Sequence, residues 1–152
     1  MSEEKSSVLE GATFRSRRVV GYSPEAVFQA FTRGESLAKW WGPAGFTNTF
    51  EVFEFRSGGQ WKFVMHGPGG GSYKNESTFV EVTEPSKVVI QHLSSPRYVL
   101  TIAIAAHEGG AEIRWDQEFE EIAVAERIQK IVGPANEQNL DRMEAVLAGK
   151  KP

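Results

Sequence analysis

The chain has 152 residues, 40% of them hydrophobic and 24% charged, a composition that supports one globular domain and excludes a disordered chain. Its formal net charge of −3 offers no attraction to phosphate backbones or anionic lipid, so neither nucleic acid nor a membrane is an expected partner. It contains no cysteine, which rules out disulfides, thiolate metal sites and cysteine nucleophiles.

The opening Met1-Ser2-Glu3-Glu4-Lys5 is polar and no apolar stretch follows it, so no secretory signal is expected. Every apolar run is far shorter than a membrane span. Together with the missing cysteines these features predict a cytoplasmic protein.

Residues 1–11 are polar and unpatterned and read as a flexible N-terminal tail, leaving residues 12–149 as a single domain. Phe14, Val19 and Val20 among Arg15, Arg17 and Arg18 predict a first strand with the arginines on a solvated face. Ser23-Pro24-Glu25 combines an N-cap, a proline at the first helical position and an early acid, and Val27, Phe28 and Phe31 follow at helical spacing. A second short helix is expected from Glu35 to Trp40, ending where Gly42-Pro43 forbids continuation.

From Phe46 the apolar period becomes two, predicting strands at Phe46–Phe55, Gln60–His66, Ser72–Glu84, Lys87–Leu93, Tyr98–His107 and Ala111–Phe119. Short turns rich in glycine, proline and serine separate them, so the segment reads as an antiparallel meander. A helical stripe then runs through Ile122, Ala125, Ile128, Val132, Asn136, Leu140, Met143 and Leu147, with a kink or short break expected at Gly133-Pro134. The predicted fold class is α+β: a curved antiparallel sheet around a long C-terminal helix, with two short helices after the first strand.

Strand parity sets Trp61, Phe63 and Met65 on one face, and likewise Ala111, Ile113, Trp115, Gln117 and Phe119. These faces must meet the helix, which strands Gln117 and His92 among apolar neighbours, where an unpaired polar group costs about 1–3 kcal/mol. Stiff aromatics fill a concave sheet poorly, and isolated polar groups on the same interior suggest orienting contacts to a ligand. Trp41, Phe46, Trp61, Phe63, Met65, Tyr98, Trp115 and Leu140 are the candidate apolar walls. Tyr73, Asn75, His92 and Gln117 are the candidate orienting groups. The expected partner is a small apolar or amphipathic molecule.

Catalysis would require a buried acid or base. His92 and Tyr73 are the candidates for a cofactor-independent cyclase or hydrolase, whereas the parity of Glu76 with Lys74 and Thr78 places it outside. His66, His92 and His107 occupy separate elements without ligand spacing, so no metal is expected, and no cofactor motif is present. Gly67-Pro68-Gly69-Gly70-Gly71 joins two strands and lacks the lysine and helix of a phosphate loop, so it reads as a turn or flexible lip.

Four motifs carry a family resemblance: Trp40-Trp41-Gly42-Pro43 with Gly45-Phe46-Thr47, Gly58-Gly59-Gln60-Trp61 with Met65-His66-Gly67-Pro68, Tyr73-Lys74-Asn75-Glu76, and Gly133 through Asn136-Glu137-Gln138-Asn139-Leu140-Asp141-Arg142-Met143. In order and spacing, from about Phe14 to Ala148, they resemble single-domain proteins similar to the C-terminal domain of the activator of the heat-shock protein 90 ATPase, in the START-related superfamily that also holds polyketide cyclases. The resemblance implies a helix-grip fold with a cavity between sheet and long helix. The co-chaperone proper carries a further N-terminal domain for which this chain has no room, so a chaperone interaction is not expected. A homodimer through a sheet edge or the short helices is a further expectation.

Overall fold

A computed structural model describes residues 5–152. Eight antiparallel strands form one sheet in the order β1-β2-β8-β7-β6-β5-β4-β3. They are β1 (Lys5–Glu10), β2 (Thr13–Val20), β3 (Thr47–Phe53), β4 (Gln60–His66), β5 (Ser72–Thr83), β6 (Lys87–His92), β7 (Tyr98–His107) and β8 (Gly110–Phe119). Two short helices, α1 (Pro24–Thr32) and α2 (Gly34–Trp40), link β2 to β3, and the long α3 (Ile122–Leu147) closes the chain. This is the expected helix-grip α+β fold.

The local chemistry explains the elements. Ser23 Oγ accepts from the Ala26 amide at 3.1 Å, capping α1 ahead of Pro24. Helix α1 buries Val27, Phe28, Ala30 and Phe31, and α2 is pinned beside it by the Trp40 indole, which donates to the Ala30 carbonyl at 3.0 Å. The hairpin between β7 and β8 turns on Glu108 (φ 45°) and Gly109 (φ 84°), the left-handed pair that a two-residue loop requires. At Gly59 a Cβ would fall 1.9 Å from the Glu54 carbonyl oxygen, so only glycine lets β4 start beside the end of β3.

Three expectations change. Of the tail proposed over residues 1–11, residues 1–4 lie outside the described residues, but Lys5–Glu10 are not loose: they form edge strand β1, paired along its length with β2. Only Val8 and Leu9 are apolar there, adjacent rather than alternating, so the strand is held by its backbone ladder and carries little side-chain signal. Helix α3 runs without a break through Gly133-Pro134, its proline inside the helix.

The third change concerns the arginines. Arg15 and Arg17 do stand on the convex face, bonded to Asp116 and Glu112. Arg18 instead shares the inner face with Phe14, Ser16 and Val20, is 4% exposed, and sits beneath α3. Its guanidinium meets Glu137 at 3.2 Å, Asp141 at 2.9 Å and Glu144 at 2.9 Å. These bonds to α3 hold its pKa above the ordinary value even though burial opposes the charge.

The core splits in two. The larger cluster packs α1, α2 and the C-terminal half of α3, with Leu140 and Met143 fully buried, against β4–β8. A smaller one gathers Phe14, Phe119 and Ala125 under the N-terminal half of α3. Ile122 and Ile131 on that half remain exposed. Among the described residues no helix is long and apolar enough to cross a membrane.

Candidate ligand-binding cavity

The segment between α2 and β3 has almost no regular hydrogen bonding of its own, and α3 supplies it. Arg142 donates to the carbonyl oxygens of Lys39, Trp41, Gly42, Pro43 and Phe46 at 2.7–3.2 Å. Asn139 Nδ2 donates to the Trp40 carbonyl at 2.9 Å, and the Ala44 amide donates to Gln138 Oε1 at 3.1 Å. Gly42 lies at φ 97°, and a Cβ on it would come 2.7 Å from Met65 Cε, so glycine lets the loop lie flat on β4.

Under this loop, between α3 and the sheet, lies a partly open cavity of about 150 Å³. Trp41, Met65, Leu100, Trp115 and Val132 supply apolar walls, and Gly42, Pro43 and Ala135 complete the apolar lining. The polar lining is Asn75, Tyr98, Gln117, Asn136 and Asn139. Asn136 Nδ2 donates to Gln117 Oε1 at 3.0 Å, which relieves the stranded amide that strand parity exposes.

Six of the proposed site residues therefore come together around the cavity: Trp41, Met65, Asn75, Tyr98, Trp115 and Gln117. The other six do not line it. Trp61 and Phe63 stack on each other at 4.4 Å, with Phe79 on Trp61 at 5.4 Å, and belong to the solid core with Leu140. Aromatic rings fill the concave sheet there by stacking and edge contacts instead of leaving gaps. Phe46 and Tyr73 pack on each other at the lip, centroids 6.4 Å apart, and Tyr73 is 56% exposed.

His92 points inward with Val88 and Ile90 but stands behind the lining. Its Nε2 lies 2.8 Å from Asn75 Oδ1, its Nδ1 lies 3.1 Å from the Pro96 carbonyl, and its ring stacks on Tyr98 at 4.4 Å. Both nitrogens thus face oxygen, which only the doubly protonated ring satisfies fully. Burial outweighs this and pushes the pKa down. Asn75 Nδ2 donates to the Tyr73 carbonyl at 3.0 Å, which turns its Oδ1 toward His92, so the neutral ring, with a single N–H, can donate to only one of its two facing oxygens. Burial likewise pushes the Tyr98 phenol up to about 12, against a hydrogen bond from Gln117 that lowers it.

Residue patterning missed Leu100, Val132, Ala135 and Asn139 as lining residues. Leu100 shares a face with Tyr98 and was findable by parity, while Val132, Ala135 and Asn139 fall one helical turn apart on α3. A larger groove of about 630 Å³ passes Gln91, Val99 and Glu118. It takes residues from both faces of the sheet at the strand ends, so it is a surface feature and not an enclosure. No cluster of His, Asp and Glu suited to a metal occurs among the described residues.

The model of the family described as Activator of Hsp90 ATPase homolog 1-like protein matches residues 21–148. The chain belongs to this family. Its matched span covers both the loop at Trp40-Trp41-Gly42-Pro43 and the α3 segment whose Asn139 and Arg142 hold that loop.

Solved structures agree on the family's fold. A protein from Arthrobacter aurescens superposes with a TM-score of 0.86 at 18% identity, covering 95% of this chain and 91% of its own. A Rhodobacter sphaeroides protein gives 0.83 at 20% identity, with 96% and 99% covered. The AHSA1 protein of Silicibacter pomeroyi gives 0.72 at 23%, with 90% and 98% covered. No curated protein matches the sequence.

Proposed function

We propose that this family member binds one small, largely apolar molecule in the cavity between its sheet and α3, as a carrier or receptor and not as a catalyst. The observation that carries this reading is the cavity itself: tryptophan, methionine and leucine walls with a polar side held by paired amides. Such a combination of apolar area and a few fixed polar groups suits orientation of a bound molecule.

The cyclase or hydrolase reading is less well supported. His92 does not line the cavity, and both of its ring nitrogens already face Asn75 and the Pro96 carbonyl. Tyr73, the other candidate, is 56% exposed and does not line the cavity.

Native mass spectrometry of freshly purified protein, followed by denaturing extraction, tests the proposal. The expected result is a small apolar compound released at one per chain, and added compound at a hundredfold its Kd should stabilise the fold by about 2.7 kcal/mol. A protein that carries nothing and shows no thermal shift across a broad set of small apolar compounds would sink it.

A further inference from the structure

We propose that the molecule taken by this cavity carries an uncharged primary carboxamide, or a group with the same pattern of N–H donors beside one acceptor oxygen, recognised by Gln117, Asn136 and Asn139. The inference rests on the binding reading above and names the polar group that the bound molecule presents.

Three amide side chains meet in the lining, Gln117 from β8 and Asn136 and Asn139 from α3. Each amide has one acceptor oxygen and one NH2 group. Asn139 Nδ2 donates to the Trp40 carbonyl, which can only accept, so the orientation of this amide is fixed and its Oδ1 is left over. Asn136 Nδ2 donates to Gln117 Oε1, leaving Asn136 Oδ1 and the Gln117 NH2 group. A single bond between two amides leaves one oxygen and one NH2 group whichever of them donates.

The two asparagine oxygens receive no hydrogen bond among the described residues. Neither belongs to the unpartnered polar atoms that are sealed from solvent. Asn136 and Asn139 are only 8% and 6% exposed and both line the cavity, so these oxygens open onto it. An apolar group laid over them would strip their water and replace it with nothing, whereas a ligand N–H on each would restore the bond. The Gln117 NH2 group is the complementary donor for a ligand carbonyl, and the Tyr98 hydroxyl, able to give or accept, opposes neither.

The lining contains no Asp, Glu, Lys, Arg or His, so an ion would meet no counter-charge. Because the cavity is partly open, the lining selects the polar group and not the length of the apolar body attached to it.

Calorimetric titration of the intact protein with benzamide, acetophenone and benzamidinium isolates the polar group, because the three are close isosteres. Benzamide should bind about tenfold tighter than acetophenone, whose methyl group would cover the asparagine oxygens, and tighter than the benzamidinium cation. In the double variant Asn136→Leu with Gln117→Met, which replaces both members of the bonded pair by apolar groups of similar volume, the preference for benzamide over acetophenone should fall to about threefold or less. Equal affinities in the unaltered protein, tighter binding of acetophenone or benzamidinium, or a tenfold benzamide preference that survives in a folded double variant would overturn this inference and leave the cavity reading standing. The comparison in the unaltered protein decides the matter even if the double variant does not fold. Binding of none of the three overturns this inference, and the mass spectrometry above decides separately whether the binding reading falls with it.

Discussion

Arg142 Nη1 donates to the carbonyl oxygen of Pro43 at 2.9 Å, joining residues 99 positions apart. The same guanidinium also holds the carbonyls of Lys39, Trp41, Gly42 and Phe46. Among the described residues its charge meets carbonyl dipoles at the end of α2, not a carboxylate, and burial lowers its pKa. Its planar fork reaches several acceptors at once, which a lysine cannot do.

Removing it should be costly. Arg142→Ala is expected to lower the unfolding free energy by about 3 kcal/mol, since several loop carbonyls lose a charged donor. Arg142→Lys should recover less than half of that loss. Urea denaturation of both variants checks the prediction, and a change under about 0.5 kcal/mol in Arg142→Ala would refute it.

Arg18 presents the opposite case, a buried cation surrounded by carboxylates on α3. Its side chain is 5% exposed, whereas Asp141 and Glu144 are 59% and 43% exposed. Arg18→Met keeps most of the packing but leaves Glu137, Asp141 and Glu144 to repel one another, and should cost about 2–3 kcal/mol, less than a fully buried pair because water screens the acids. A double-mutant cycle with Glu144→Gln should show coupling of roughly 1 kcal/mol, and additive effects would place the stabilisation elsewhere.

The legible parts of this fold are those written in side-chain alternation. Parity alone places Trp61, Phe63, Ile113, Trp115 and Gln117 on the inner face, where all are buried. Strand β1 was illegible because its pairing is a property of the backbone and not of its side chains. Arg18 illustrates a different loss: parity separates it from Arg15 and Arg17, but grouping the three by charge conceals that. Parity also fixes a face without fixing depth. Trp61 shares the inner face with Trp115, yet Trp61 packs in the solid core with Leu140 of α3, while space opens where small Ala135 and Gly42 join the lining.

His92 makes stability depend on pH. Its folded pKa lies below the ordinary value near 6.5, so the unfolded chain binds the proton more readily. The stabilisation is complete above pH 6.5 and declines as the pH falls below that value towards the folded pKa. Denaturation of the unaltered protein at pH 7.5 and 5.5 should therefore show a loss that is smaller in His92→Gln, which keeps polar contacts without titrating. An identical pH dependence in the two proteins would show that His92 is not the group responsible.

The cavity itself is open to a direct steric test. Ala135 sits on α3 in the cavity lining, only partly buried, and is the smallest side chain that α3 contributes there. Ala135→Leu extends apolar atoms into space that is already apolar, so folding stability should change by less than about 1 kcal/mol while the room for a ligand shrinks. Affinity for any small apolar probe should fall at least tenfold, measured by the same titration as in the unaltered protein. Stability held with binding unchanged would mean that the probe occupies another place, the open groove past Gln91 and Glu118 being one alternative of sufficient volume.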